Sequence, residues 1–326
     1  MSTNKPQTIL ISPAGGQAIH GIVDYFRGKG YTVIGIDRNP EAIGKFFVDR
    51  FIEVPGVLEG HYMDKILEII SEYKVSIFVS WLDPEVIFWN EKFFTLEIPS
   101  ELAGVFAFNF RRDINEFFDK FSFYYLLQNS GFTYPKTFLL EGNENEILNN
   151  INLPVVVKPR IGFGARDTFI FDNAEDLKHK LRIFPKFRGI GKFLIQEYIA
   201  GDEYTVDFFA EKGNLVNVAV RKRIEHRGVS LRGEIACNES IEALVSKFCS
   251  EFNIDGLNNI QVIQADDKFH IIDFNPRPSG TIMLSVNAGV DFMNNLTERM
   301  AKKEITRYGK PRRLKMIRYL CEHYYE

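Results

Sequence analysis

The chain of 326 residues has only three cysteines, Cys237, Cys249 and Cys321, whose odd number and wide spacing fit neither a disulfide framework nor a CxxC metal knuckle. A reducing, cytoplasmic setting is the expectation. No apolar run approaches the roughly 20 residues needed to cross a bilayer. The N-terminus, MSTNKPQTILISPAGG, reaches a proline and two glycines before a secretion signal's apolar region could form. Neither membrane nor targeting is expected. A charge excess is missing too: 40 basic and 43 acidic side chains leave a formal charge of -3, which supplies no positive field for a phosphodiester backbone. That excludes nucleic acid as an expected partner. What is plentiful is phenylalanine, 30 residues scattered through alternating and helical patterns and assigned here to packed cores. The length suits two or three domains of ordinary size, each with its own core.

The first hundred residues alternate β-rich and helical patterns. TILIS (Thr8 to Ser12) runs into the turn Pro13-Ala14-Gly15-Gly16 and a helix over Gln17 to Lys29; YTVIGID (Tyr31 to Asp37), Phe51 to Val54 and VSIFVS (Val75 to Ser80) are further strands, with a helix over Met63 to Tyr73. Such alternation predicts a parallel sheet with ligands beyond the carboxyl ends of its strands. The turn glycines followed by Asp37 resemble a dinucleotide site, but the spacing is not GxGxxG, so backbone geometry is the preferred reading. Ser80 to Glu85 lies on the ligand edge of this sheet, where it could touch substrate, and a capped turn is the preferred reading. Arg111 to Ser130 then reads as helical, ending at Gly131. Strands follow at LPVVVK (Leu153 to Lys158), Thr168 to Phe171, Phe193 to Gln196, Glu203 to Ala210 and Asn214 to Arg221. The last pattern is a hairpin, Asn258 to Gln264 and Lys268 to Phe274, ending in Asn275-Pro276-Arg277-Pro278.

That hairpin carries the clearest chemistry. Asp273 and Asn275 lie two apart on a strand and share a face, and Gln261 on the partner strand can present its amide oxygen there. Three hard oxygen ligands suit Mg²⁺ beside nucleotide phosphates; the alternative is a solvated hairpin end. Lys158 closes a buried strand beside a loop containing Gly162 and Gly164, a placement that can meet phosphate. In QEYIAGDE, the strand end at Gln196, Glu197 and Ile199 exposes backbone groups that can pair with an adenine edge, and Glu203 can reach ribose hydroxyls.

Four blocks in this order, Asp119-Lys120 before a helix, VVVKPRIGFGARDTFIF, LIQEYIAGDEYTVDFF and NIQVIQADDKFHIIDFNPRPSG, resemble the ATP-grasp superfamily, and within it the carbamoyl-phosphate-synthetase-like stand-alone ligases. The resemblance covers nearly the whole chain. It implies an α/β pre-ATP-grasp domain (residues 1–108) with a Rossmann-like parallel sheet, followed by the two α+β lobes of the grasp (109–196 and 197–326). It implies that Lys120 and Lys158 contact ATP phosphates, that Gln196 with the backbone of Glu197 and Ile199 holds adenine, that Glu203 holds ribose, and that Gln261, Asp273 and Asn275 hold one or two Mg²⁺, replaceable by Mn²⁺. Two positions differ from the family pattern: Asp273 and Gln196 stand where glutamate is commoner.

The implied reaction is attack of a carboxylate oxygen on the γ-phosphorus of ATP, then attack of an amine on the acyl phosphate. Phosphoryl transfer of this kind rests on positioning and charge neutralisation. Arg277 is the first choice for the arginine at the transferring group, with Arg223 and Arg221 next; RKRIEHRG is otherwise a solvated strand and loop, and its His226 a lone histidine. The substrates are a small-molecule carboxylate and an amine of unspecified identity, and a homodimer is a base-rate expectation. Two other readings stand beside the ligase: a carbamoyl-phosphate-synthetase-like subunit that activates bicarbonate or needs a partner, and a noncatalytic nucleotide-binding module.

Overall fold

The computed structural model describes residues 7–141, 144–162, 167–184, 191–227 and 229–325. The expected parallel sheet is present, formed by β1 (Thr8–Ser12), β2 (Thr32–Asp37), β3 (Arg50–Glu53) and β4 (Val75–Ser80) in the order β3-β2-β1-β4. Its central strands are near-continuous apolar runs because helices cover both faces. Helix α1 (Ile19–Gly28) buries Ile19, Ile22, Val23 and Phe26, the spacing of one helical face, and α2 (Tyr62–Glu72) does the same with Tyr62, Ile66, Ile69 and Ile70.

The expected turn at Ser80 to Glu85 is instead the entry to a helix, α3 (Asp83–Phe94). Pro84 sits in its first turn, where a missing N–H costs nothing, and Asp83 and Glu85 lie at the positive end of the helix dipole. Its buried face mixes Asp83, Glu85 and Asn90 with Val86 and Trp89, which hides it from a hydrophobic period. A second correction concerns Arg111 to Ser130, which is two helices, α4 (Ile114–Phe118) and α5 (Lys120–Asn129). Asp119 breaks them apart: its backbone is extended and its carboxylate accepts from the N–H groups of Phe121 and Ser122, capping α5.

Two antiparallel sheets follow. The smaller combines β5 (Thr137–Leu139), β6 (Val155–Pro159), β7 (Phe169–Phe171) and β8 (Phe193–Glu197) in the order β5-β8-β6-β7. Ile147 of α6 (Glu144–Leu148) and Leu177 of α7 (Ala174–Ile183) close its core over Val155, Val157 and Ile195. The larger has six strands: β9 (Asp202–Glu211), β10 (Asn214–Arg227), β11 (Val229–Ala236), β12 (Gly256–Ala265), β13 (Lys268–Asn275) and β14 (Lys315–Ile317), ordered β13-β12-β9-β10-β11-β14. The expected solvated reading of RKRIEHRG fails at Arg221, which is 2% exposed in a strand that runs on to Arg227.

The parallel and six-stranded sheets share one core, in which Ile9, Val23 and Phe26 pack with Phe209, Leu257, Ile282 and Phe292. On the other face of the six-stranded sheet, α8 (Glu239–Glu251) supplies Phe248 to a cluster with Phe117, Phe123, Phe208 and Phe274. Phenylalanines thus occupy cores, as expected. The remaining helices, α9 (Ile282–Asn287) and α10 (Phe292–Met300), complete the junction with the parallel sheet.

Candidate active site

A cleft of about 510 Å³ opens between the two antiparallel sheets, with residues following β4 at one wall. Lys120, Lys158, Gly162, Gln196, Glu197, Ile199, Glu203, Arg223, Gln261, Asp273, Asn275 and Arg277 all line it. They come from seven different segments of the chain, so their convergence is a property of the fold. Of the residues expected at the site, Gly164 lies outside the described residues, as does the side chain of His226.

Gln261 and Asp273 face each other as cross-strand partners on β12 and β13, which places their side chains on one face. Asn275, 8% exposed, donates from Nδ2 to Asn259 Oδ1 at 3.2 Å and Asp273 Oδ2 at 3.4 Å. Asn259 in turn donates to the Arg277 carbonyl at 2.9 Å. One carboxylate and two amide oxygens so held are hard donors that fit a Mg²⁺ whose remaining ligands are phosphate and water. Among the described residues no group of three or more His, Cys, Asp or Glu gathers elsewhere to offer a competing cation site.

Opposite stand two lysines. Lys120 opens α5 because Asp119 caps that helix, and its Nζ donates to the Gly162 carbonyl at 2.7 Å. Arg160 fixes the cap by pairing with Asp119 at 2.6 Å. Lys158 projects from β6; burial and the Lys120 charge push its pKa down to about 8, against the pull of Asp273. An ammonium under that strain gains from an anion brought beside it. Further along the wall, Gln196 of β8 lines the cleft and donates from Nε2 to Thr137 Oγ1 at 2.7 Å. Gly201 ends this segment where a Cβ would lie 2.1 Å from the Gln264 carbonyl oxygen, so only glycine lets the turn close against β12.

The arginines are sorted by their partners. Arg277 forms a two-point pair with Asp83, including Nη2 to Oδ2 at 2.7 Å, and donates to Asn275 Oδ1 at 3.3 Å. Burial opposes its charge, yet Asp83 and Asp273 hold its pKa above the ordinary value. Arg223 pairs with Glu203, the expected ribose contact, and donates to Ser230 Oγ at 3.1 Å. Arg221 is removed from the cleft: it binds Asp207 at 2.8 and 2.9 Å and Ser279 Oγ at 2.7 Å beneath the floor. Asp37 is likewise committed, accepting from the N–H groups of Gly15 at 2.7 Å and Asn39 at 2.9 Å, so its carboxylate stitches the turn after β1.

Sequence reasoning missed part of the wall. Trp81 and Asp83 line the cleft, and Trp81 Nε1 donates to the Ser279 carbonyl at 3.2 Å. Arg318 lines it from just beyond β14. The position of Ser80 to Glu85 on the ligand edge of the parallel sheet was a usable signal for the first two; the three-residue strand that precedes Arg318 has no periodic signal at all.

The family described as "ATP-grasp in the biosynthetic pathway with Ter operon" matches residues 190–320, and the PylC-like N-terminal domain family matches residues 9–96. Among solved structures, N5-carboxyaminoimidazole synthetase from Staphylococcus aureus, complexed with ADP, superposes with a TM-score of 0.74 at 14% identity over 97% of this chain and 84% of that one. The biotin carboxylase domain of Hydrogenobacter thermophilus 2-oxoglutarate carboxylase, with MgADP, ADP and bicarbonate, gives 0.71 at 18% identity over 93% and 71%. L-amino acid ligase from Bacillus licheniformis gives 0.66 at 16% identity over 92% and 74%. The chain thus shares the fold of these solved structures, and its residues 190–320 match an ATP-grasp family model.

Proposed function

We propose that the chain is an ATP-dependent ligase that activates a carboxylate as an acyl phosphate and joins it to an amine, releasing ADP and phosphate. The observation that carries this is the meeting of Lys120, Lys158, Gln261, Asp273, Asn275 and Arg277 on one cleft. In this reading adenine lies against Gln196, Glu197 and Ile199, ribose against Glu203, and the phosphates between Lys120, Lys158 and the glycine loop. Gln261, Asp273 and Asn275 hold magnesium, which when bound neutralises charge on the phosphate oxygens. The chain's own contribution is positioning: Asp83 aims Arg277 at the transferring phosphoryl group, and Arg223 stands beside Glu203 as the second candidate for that role.

The chemistry needs no protein nucleophile. A carboxylate oxygen bonds to the γ-phosphorus as the bond to the bridging oxygen breaks and ADP departs; the amine nitrogen then attacks the acyl carbon, phosphate leaves, and the nitrogen loses a proton. The ADP-bound synthetase and the amino acid ligase among the structural neighbours support this reading. The bicarbonate named with the biotin carboxylase domain favours bicarbonate as a second choice of carboxylate. The division at residues 108 and 196 into a pre-ATP-grasp domain and two grasp lobes, and a homodimer, belong to the same proposal. The test is ADP release with Mg-ATP across amino acids, small carboxylic acids and bicarbonate, with mass detection of product. An amide product supports the ligase; bicarbonate-dependent ADP release without amide moves the assignment to the second choice.

A further inference from the structure

Each arginine at the cleft has a carboxylate partner except one. Arg277 has Asp83, Arg223 has Glu203, and Arg221 beneath the floor has Asp207. Arg318 instead donates from Nη2 to the Gly280 carbonyl at 2.5 Å and from Nη1 to Gln17 Oε1 at 3.4 Å, and no carboxylate pairs with it among the described residues. Burial and the charge of Arg221 push its pKa below the ordinary value, the mark of a cation with repulsion around it and no counterion.

Its position is built. The Arg318 N–H bonds the Leu231 carbonyl at 2.8 Å, continuing the pairing of β14 with β11. Beyond it the chain returns to the parallel sheet, where the His323 ring lies 4.0 Å from that of Phe46 and Lys45 sits 4.5 Å over Tyr325. The guanidinium is thereby held where three segments meet: the turn after β1 through Gln17, the Ser279–Thr281 loop, and Trp81 after β4, which binds the same loop. That is the carboxyl edge of the parallel strands, where α/β sheets take ligands. Arg318 enters from the β14 edge of the six-stranded sheet, whereas Asp273 and Gln261 lie at the β13 and β12 edge. The two groups therefore reach the one cleft from opposite edges of that sheet.

We infer that Arg318 binds a spectator carboxylate of the substrate, one that is not activated, and so makes the enzyme select substrates carrying that second acid group. A planar guanidinium without a countercharge is matched to a carboxylate in two-point geometry. Its source is either the second carboxylate of a diacid donor or the α-carboxylate of an amino acid acceptor. The inference rests on the ligase reading above.

The test compares initial rates with Mg-ATP for dicarboxylic acids against their monoamides, and for amino acids against their carboxamides, in wild type, Arg318→Ala and Arg318→Lys. The expected result is a preference for the acid of about tenfold or more in kcat/KM, carried by KM, in one arm, which names the source. Arg318→Ala should erase that preference while the KM for ATP stays unchanged, and Arg318→Lys should restore part of it. A wild-type acid-over-amide ratio retained in Arg318→Ala, or no preference in either arm, overturns the inference and leaves the ligase intact. Absence of Mg-ATP-dependent ADP release from the wild type removes the ligase reading, and this inference with it.

Discussion

Lys158 is the residue whose chemistry can be checked most simply. Its proton is lost at about pH 8 in the folded chain, against 10.5 for an ordinary lysine. Between those values the unfolded chain holds a proton the folded chain has released, so this group makes the fold gain stability as pH rises through that window. Phosphate binding has the opposite sign: it needs the ammonium, so nucleotide affinity should fall as pH rises through 8. Calorimetric titration of Mg-ADP from pH 7 to 9 should show proton uptake on binding, and Lys158→Arg should flatten the dependence; an unchanged slope would remove Lys158 from the phosphate site. The metal group gives a second prediction. Asp273→Ala with Asn275→Ala should abolish Mg-ATP turnover with the circular dichroism spectrum unchanged, and retained turnover would sink the assignment.

Residue chemistry was legible in the sequence wherever strand geometry fixes it. The two-residue spacing of Asp273 and Asn275 guarantees a shared face, and the run of valines before Lys158 announces a buried strand with a charged mouth. What could not be read was pairing. Nothing in the sequence near Arg277 points to Asp83, 194 positions away, and the burial of Arg221 depends on Asp207 across a strand pair.

Among the elements, α3 matters most, because its first turn carries Asp83 to Arg277. Asp83 is 4% exposed, so Asp83→Ala leaves a partly buried guanidinium without its countercharge, a loss of about 3–5 kcal/mol in comparable buried pairs. Urea unfolding should show a fall of that order together with loss of turnover; a stability change below about 1 kcal/mol would mean the pair is solvent-screened. The turn at Gly201 gives a separate prediction. Gly201→Ala drives a methyl group against the Gln264 carbonyl and should cost about 1–3 kcal/mol by overpacking, with weaker nucleotide binding because the strand end at Gln196 to Ile199 shifts. α3 and the break at Asp119 escaped a periodic reading for the same reason: side chains there serve polar contacts and caps, so their pattern does not repeat at 3.6 residues.

For the whole molecule, the cleft lies between two sheets with separate cores, one closed by Ile147 and Leu177 and the other built on Phe117, Phe208, Phe248 and Phe274. The parallel sheet is joined to the larger of these through a shared core and through Arg277 and Trp81. A nucleotide bridging the two antiparallel sheets stabilises the folded form by mass action, about 2.7 kcal/mol at a hundred times its Kd. The order of the three sheets was legible from the alternation of patterns and the four ordered blocks. The shared core was not, since Phe209 and Leu257 read simply as buried strand residues whatever they pack against.

The measurement that tests the central claim most directly is ADP release with Mg-ATP across the carboxylate and amine panel, with products identified by mass and Asp273→Ala run alongside. The account predicts substrate-dependent ADP release in step with an amide product, lost in the variant. Nucleotide bound but no ADP released with any pair would contradict it.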